Sequence, residues 1–247
     1  MLLKVKNLKK QFNQKEILKG IDFEINQGEV VVIIGPSGSG KTTLLRSLNF
    51  LETADQGSLT LNGQEIDLAH PTKDQVQWVR RHTAMVFQNY NLFKNKTALQ
   101  NIAEGLIYGQ KLAKDQAESL ARAALANLGL AEQQDYYPAQ LSGGQQQRIG
   151  IARATVLQPE VILFDEPTSA LDPELVSTVM NDMQRLANQG QTMIVVTHQM
   201  WFARNVATKV ILFADGQIVE AGTPAELFEQ PKEERTRKFL AALADNY

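Results

Sequence analysis

Gly35-Pro36-Ser37-Gly38-Ser39-Gly40-Lys41-Thr42 reads as a loop built to grip phosphate. It matches G-x-x-x-x-G-K-[ST], and its flanks are as informative as the pattern itself. Val30-Val31-Val32-Ile33-Ile34 runs into it, a β-branched run that predicts a buried parallel strand, and Thr43-Leu44-Leu45-Arg46-Ser47-Leu48 leaves it with the character of a helix. Glycines let backbone N–H groups turn inward around an anion, and the helix amino terminus adds partial positive charge. On this reading Lys41 reaches the β- and γ-phosphates of a nucleoside triphosphate and the Thr42 hydroxyl ligates Mg²⁺. The stretch from Gly35 to Thr43 is the expected nucleotide contact.

The bulk numbers narrow the partners. The 247 residues carry 25 Lys and Arg against 27 Asp and Glu, a net charge of −2, which is no footprint for nucleic acid. With no cysteine there are no disulfides or thiolate metal sites, a composition that suits a reducing cytosol. No apolar run approaches the ~18–20 residues that span a bilayer. Met1-Leu2-Leu3-Lys4-Val5-Lys6 is too short and too charged for a signal peptide and predicts a strand. A membrane, if one matters, is met through a partner protein.

Outward from the loop, the chain alternates strands and helices. Ile21, Phe23 and Ile25 alternate with Asp22, Glu24 and Asn26, the period of a half-buried strand. Leu59-Thr60-Leu61 ends in an Asn62-Gly63 turn, and Met85-Val86-Phe87 predicts another buried strand. From Lys114 to Leu128, Ala117, Leu120, Ala121, Ala124, Leu125 and Leu128 repeat at helical spacing, with Gly129 as the stop. Val161–Phe164 and Thr192–Val196 are further buried strands. Between them Asp172-Pro173 opens a helix, Asp172 as its cap, that carries Leu175, Val179, Met183 and Leu186 on one face and stops at Gly190. Asp215-Gly216 lies between Ile211-Leu212-Phe213 and Gln217-Ile218-Val219, a hairpin signal. The expected layout is α/β: a parallel-sheet core of about residues 1–88 and 160–247, interrupted by helices over about 89–159.

Two further segments carry chemistry. Asp165-Glu166 ends a buried strand, where the first carboxylate can hold a Mg²⁺ shell and the second can polarise a water for attack on a γ-phosphate. Leu141-Ser142-Gly143-Gly144-Gln145 opens a helix that runs through Arg148 and Arg153, with Ser142 as the cap and two glycines that let backbone approach an anion.

Gly35–Thr42, Gln88, Leu141–Gln145, Val161–Glu166, Ser169-Ala170-Leu171-Asp172 and His198 occur in the order and spacing of an ABC-transporter nucleotide-binding subunit, and the resemblance covers essentially the whole chain. It implies a P-loop NTPase of RecA-like core with an antiparallel β subdomain and an inserted helical subdomain, binding ATP and Mg²⁺. It further implies that Phe12 stacks on adenine, the alternative being a core phenylalanine of the first hairpin. Gln88 resembles the glutamine that touches Mg²⁺ and couples the site to a membrane partner. His198 resembles the switch histidine near the γ-phosphate, and Asp172 an interface aspartate. Glu166, His198 and Gln88 are thus the expected catalytic set, and Thr42, Gln88 and Asp165 the expected metal set. Ser142, Gly143, Gly144 and Gln145 would complete the phosphate site of a second copy, so a head-to-tail homodimer is implied. Gly150, inside that helix, departs from a helix former's preference and is expected to allow close helix packing.

Several segments resemble the importer subgroup for polar amino acids: Ile33–Lys41, Tyr137–Arg148 and Phe164–Pro173. Met85–Lys94 resembles the cystine-uptake members in particular. Two transmembrane permease subunits, an extracytoplasmic substrate-binding protein and a peripheral place on the cytoplasmic face of the membrane follow from that resemblance. The chain ends soon after an amphipathic tail, Lys232–Tyr247, so no added regulatory domain is expected. Ribosome-acting cassettes usually carry two cassettes per chain, and chromosome or repair ATPases insert a long coiled coil; neither fits. An exporter or lipoprotein-release ATPase is the nearest rival.

Overall fold

All five side chains of β3 (Val30–Ile34) are buried, as a strand covered on both faces requires. In the computed structural model, which describes residues 1–244, this strand belongs to a six-stranded sheet. Its members are β6 (Thr83–Val86), β7 (Val161–Asp165), β8 (Thr192–Val196), β9 (Lys209–Ala214) and β10 (Gln217–Gly222). The order is β10-β9-β3-β8-β7-β6, parallel throughout except for the β9–β10 hairpin. Strands β3, β6, β7 and β8 therefore end on one edge, the place where open α/β sheets bind ligands.

The second sheet is antiparallel, ordered β2-β1-β4-β5, from β1 (Leu3–Phe12), β2 (Lys15–Ile25), β4 (Gln56–Leu61) and β5 (Gln64–Asp67). Ile21 and Ile25 are buried while Asp22 and Glu24 are exposed, as the period of two requires. Helix α1 (Lys41–Leu48) lies between the sheets. Its Leu44, Leu45 and Leu48 share one core with Leu3, Leu8 and Leu18 of the small sheet and Val31 and Ile33 of the large one. The opposite face of the large sheet is covered by α6 (Pro173–Asn188) and α7 (Met200–Asn205) through Val179, Met183 and Phe202.

Between β6 and β7 the chain is helical. Here α3 (Ala98–Glu104), α4 (Lys114–Asn127) and α5 (Gly143–Thr155) bury Leu99, Ile102, Ala121, Leu125 and Ile149 in a separate core. A π-helical turn, Gly105–Gly109, joins α3 to the segment before α4. Of the apolar face expected on α4, Leu120 is 46% exposed, because α4 packs through its alanines and Leu125. Helix α2 (Lys73–His82) has no long apolar stripe; only Val79 is fully buried, and a Thr72–Gln75 capping box starts it. Pro224–Glu229 (α8) and Glu234–Ala244 (α9) complete the described chain. Asp245 to Tyr247, the end of the expected tail, lie outside the described residues.

Gly150 is not there for close packing. A Cβ added to it would lie 3.7 Å from the Tyr90 carbonyl oxygen, an ordinary contact, and its φ is not positive. Gly150→Ala should therefore raise unfolding free energy by about 0.5–1 kcal/mol through helix propensity and a less flexible unfolded chain. The check is a higher urea midpoint at unchanged m-value; a lower midpoint would show that the backbone there needs glycine.

Candidate active site

Strand β3 delivers the phosphate loop and two neighbours pin it. Gly35 has φ 149°, and a Cβ on it would sit 1.9 Å from the Phe213 carbonyl oxygen of β9. Gly40, in the left-handed region at φ 107°, caps α1, and a Cβ there would lie 2.9 Å from the Ile17 carbonyl oxygen of β2. Larger residues would have to push one of the sheets away. The hairpin turn adds a third hold, with the Gly216 N–H donating to the Ser39 carbonyl at 3.1 Å.

Lys41 is only 4% exposed. Its Nζ donates to the Gly35 carbonyl at 2.9 Å and the Pro36 carbonyl at 2.8 Å. Burial pulls its pKa down, and the carboxylates of Glu166 and Asp165 oppose that shift. Asp165 ends β7, buried, with Oδ1 accepting from the Thr42 hydroxyl at 2.8 Å. Burial raises its pKa, against the Thr42 hydrogen bond and the Arg46 charge. A hydroxyl and a carboxylate oxygen side by side form a hard-oxygen donor set that suits Mg²⁺ shared with phosphate. Among the described residues no cluster of three or more His, Cys, Asp or Glu could hold a metal without such help.

Glu166 is held in an unusual conformation, φ 46°, which for a non-glycine residue is strained. Hydrogen bonds fix it there. Its N–H donates to the Val196 carbonyl at 2.9 Å, and its own carbonyl accepts from the Ser169 hydroxyl at 3.0 Å. The carboxylate Oε1 lies 3.2 Å from His198 Nε2, two residues beyond β8. The structure thus brings together Lys41, Thr42, Asp165, Glu166 and His198.

Glu166 and the loop from Ser37 to Thr43 line one cleft of about 270 Å³, with Phe12 at its edge. Phe12 is 42% exposed, so it is no core residue, and Lys10 Nζ stands 4.9 Å from its ring centroid. Larger concavities exist, such as one of about 620 Å³ around Gln158, Gln189 and Gln191. That one gathers no phosphate loop and no buried lysine.

Other expected residues stand outside the cleft. Gln88 is exposed, two residues past β6 at the carboxyl edge of the sheet. Ser142 caps α5, accepting from the Gln145 N–H at 3.2 Å while the Gln145 side chain accepts from the Ser142 N–H at 2.9 Å. Ser142, Gly143, Gly144 and Gln145 are absent from the cleft lining. Helix α5 is tied instead to α6 by Arg148, whose Nε is 2.6 Å from the buried Asp182 carboxylate. Asp172 occupies the cap position of α6, but its side chain makes no cap hydrogen bond. The Leu175 N–H that it would take already donates to the Asp172 carbonyl at 2.9 Å. Its carboxylate is left exposed and available to another group. Sequence reading passed over Tyr90, whose hydroxyl reaches the Ala170 carbonyl at 3.0 Å. An aromatic in a loop after a strand gives no pattern that announces a contact eighty residues away.

The family described as ABC transporter matches residues 18–169. A Bacillus subtilis protein named as a probable amino-acid import ATP-binding protein is 52% identical over 244 residues, covering 99% of this chain and 98% of its own length. An L-cystine transport system ATP-binding protein of Escherichia coli is 52% identical over 241 residues, 96% of each chain. Among solved structures, a dimeric ATP-binding cassette in a post-hydrolysis state with ADP and Pi superposes with a TM-score of 0.81 at 33% identity, covering 90% of this chain and 99% of that one. With the family matched over more than half of its length and relatives half identical from end to end, this chain belongs to the ABC transporters.

Proposed function

We propose that this chain is the ATP-hydrolysing subunit of an importer for polar amino acids, cystine among them. The observation that carries the reading is the division of the site. The loop from Ser37 to Thr43 and Glu166 line one cleft, with Asp165 bonded to the Thr42 hydroxyl, while the capped, glycine-bearing start of α5 stands outside it. A γ-phosphate on one cradle needs more donors for its developing charge than that cradle holds. Two copies head to tail supply them, each offering Ser142, Gly143, Gly144 and Gln145 to the other's nucleotide. Relatives named for amino-acid and cystine import, and a neighbour that is a dimeric cassette with ADP and Pi, support it.

In this scheme Phe12 stacks on the base, and the loop from Gly35 to Thr43 surrounds the phosphates with N–H groups. Lys41 turns its ammonium from the loop carbonyls to the β- and γ-phosphates. The Thr42 hydroxyl and Asp165 would hold Mg²⁺, which would supply positive charge to neutralise the phosphates. Glu166 accepts a proton from the attacking water, and His198 holds the carboxylate's orientation and faces the γ-phosphate. Gln88 and Asp172 lie where contact with metal, permease and second copy can be exchanged. No helix among the described residues is long and apolar enough to cross a membrane. On this reading the transmembrane path belongs to two permease subunits, which this chain meets at the cytoplasmic face and which receive substrate from an extracytoplasmic binding protein.

Complementation tests the arrangement. Ser142→Arg and Lys41→Ala should each abolish hydrolysis alone, while Ser142→Arg still binds ATP as a monomer. Mixed together they should regain activity, because one composite site per mixed dimer keeps both Lys41 and Ser142. A mixture as inactive as its parts, with both variants folded, would exclude the head-to-tail site.

A further inference from the structure

Tyr90 touches two segments that, on the head-to-tail reading, serve different nucleotides. Its hydroxyl donates to the Ala170 carbonyl at 3.0 Å. Ala170 follows Ser169, which bonds the Glu166 carbonyl, so this is the loop of the chain's own carboxylate. The same hydroxyl oxygen lies 2.6 Å from where a Cβ on Gly143 would stand. Gly143 is the first residue of α5, whose end is offered to the other copy's nucleotide. One side chain is thus wedged between the part of the molecule that works in one site and the part that works in the other.

The loop carrying Tyr90 is held to this placement. Tyr90 and Asn91 have φ 58° and 48°, left-handed values that non-glycine residues adopt at a cost. Arg153 of α5 fixes both, donating to the Asn91 carbonyl at 2.7 Å and the Tyr90 carbonyl at 3.2 Å. The loop begins two residues after Gln88, is bonded to α5 through Arg153 and lies against the start of that helix at Gly143.

We infer that Tyr90 is a positioning residue that couples the two nucleotide sites of the dimer, its hydroxyl keeping the loop after Glu166 in register with the start of α5. The inference rests on the head-to-tail reading proposed above. It states that ordering of Glu166 around one nucleotide is transmitted, through Ala170 and Tyr90, to the donors presented to the other. Tyr90→Phe removes the hydroxyl and leaves the ring.

Three variants test it: Tyr90→Phe, Gly143→Ala and the double substitution. Tyr90→Phe should lower kcat about fivefold, the scale of one hydrogen bond. Binding of a fluorescent ATP analogue to the monomer, and thermal stability, should stay near wild type. Gly143→Ala should lower kcat by at least that factor, because its methyl displaces the hydroxyl from Ala170 and also stands at the end offered to the second copy's nucleotide. In the Tyr90→Phe background the remaining ring carbon sits 3.5 Å from that methyl position, so the clash is gone. There Gly143→Ala should lose only what its methyl costs beside the second copy's phosphates, about fivefold less than in the wild-type background, a strong non-additivity. Additive losses would overturn the inference, as would a Tyr90→Phe variant that loses stability or monomer binding with kcat unchanged. Failure of the head-to-tail reading shows separately, as absent complementation between Ser142→Arg and Lys41→Ala.

Discussion

Glu166→Gln is expected to stop turnover while leaving ATP bound. The substitution keeps the size of the side chain and a hydrogen bond to His198, 3.2 Å away in the native chain, and removes only the proton acceptor. Its backbone, at φ 46° and bonded to Val196 and Ser169, has no reason to move. Loss of a general base lowers rates by ~10²–10⁴, with binding largely spared. ATP that is not cleaved then stays between two copies and holds them together. Size-exclusion chromatography of Glu166→Gln with ATP should show a stable dimer, and wild type with ADP a monomer. Hydrolysis near the wild-type rate without dimer formation would remove Glu166 from the mechanism.

Lys41→Ala should act at the preceding step. The ammonium is buried inside the loop between the Gly35 and Pro36 carbonyls, with Asp165 and Glu166 behind it. Without it, an incoming triphosphate meets two carboxylates and two carbonyl oxygens with no cation to offset them. Removing one partner of a buried charge pair costs about 2–5 kcal/mol, roughly 30- to several-thousand-fold in Kd. Calorimetry should show ATP affinity nearly lost while thermal unfolding of the nucleotide-free chain changes little. Unchanged affinity in a folded variant would sink the assignment of the phosphate loop.

Local features were legible from sequence. The strand before Gly35, the Asp215-Gly216 hairpin, the Ser142 cap and the two carboxylates after Phe164 each rest on a few adjacent residues. Their physics is complete within that stretch. Contacts between distant segments were not legible. The bond from Tyr90 to Ala170 depends on how α5 and the loop before α6 come together, and nothing in Asn89-Tyr90-Asn91 encodes that meeting. Helix α2 was passed over because its stability lies in a Thr72–Gln75 capping box and one buried valine instead of a stripe. Asp172 misled for the opposite reason. Asp before Pro is a good cap by composition, yet the backbone used the available N–H first.

The strand order has a consequence for how the polypeptide is made. Strand β3 pairs with β8 and β9, whose residues begin at Thr192 and Lys209. At ~5–20 residues per second, synthesis leaves that segment without its neighbours for roughly 10–30 s. Before then, β1, β2, β4 and β5 can already close their sheet, because all of them lie within the first 67 residues. The nascent chain therefore carries a finished platform and, beside it, an exposed apolar ribbon, Val30–Ile34, that ends in the phosphate loop. The ribbon's two edges are paired only when the carboxyl-terminal third emerges. The segment that will hold the nucleotide is thus made early and assembled late, and through that interval it is the part of the molecule most in need of protection from other chains.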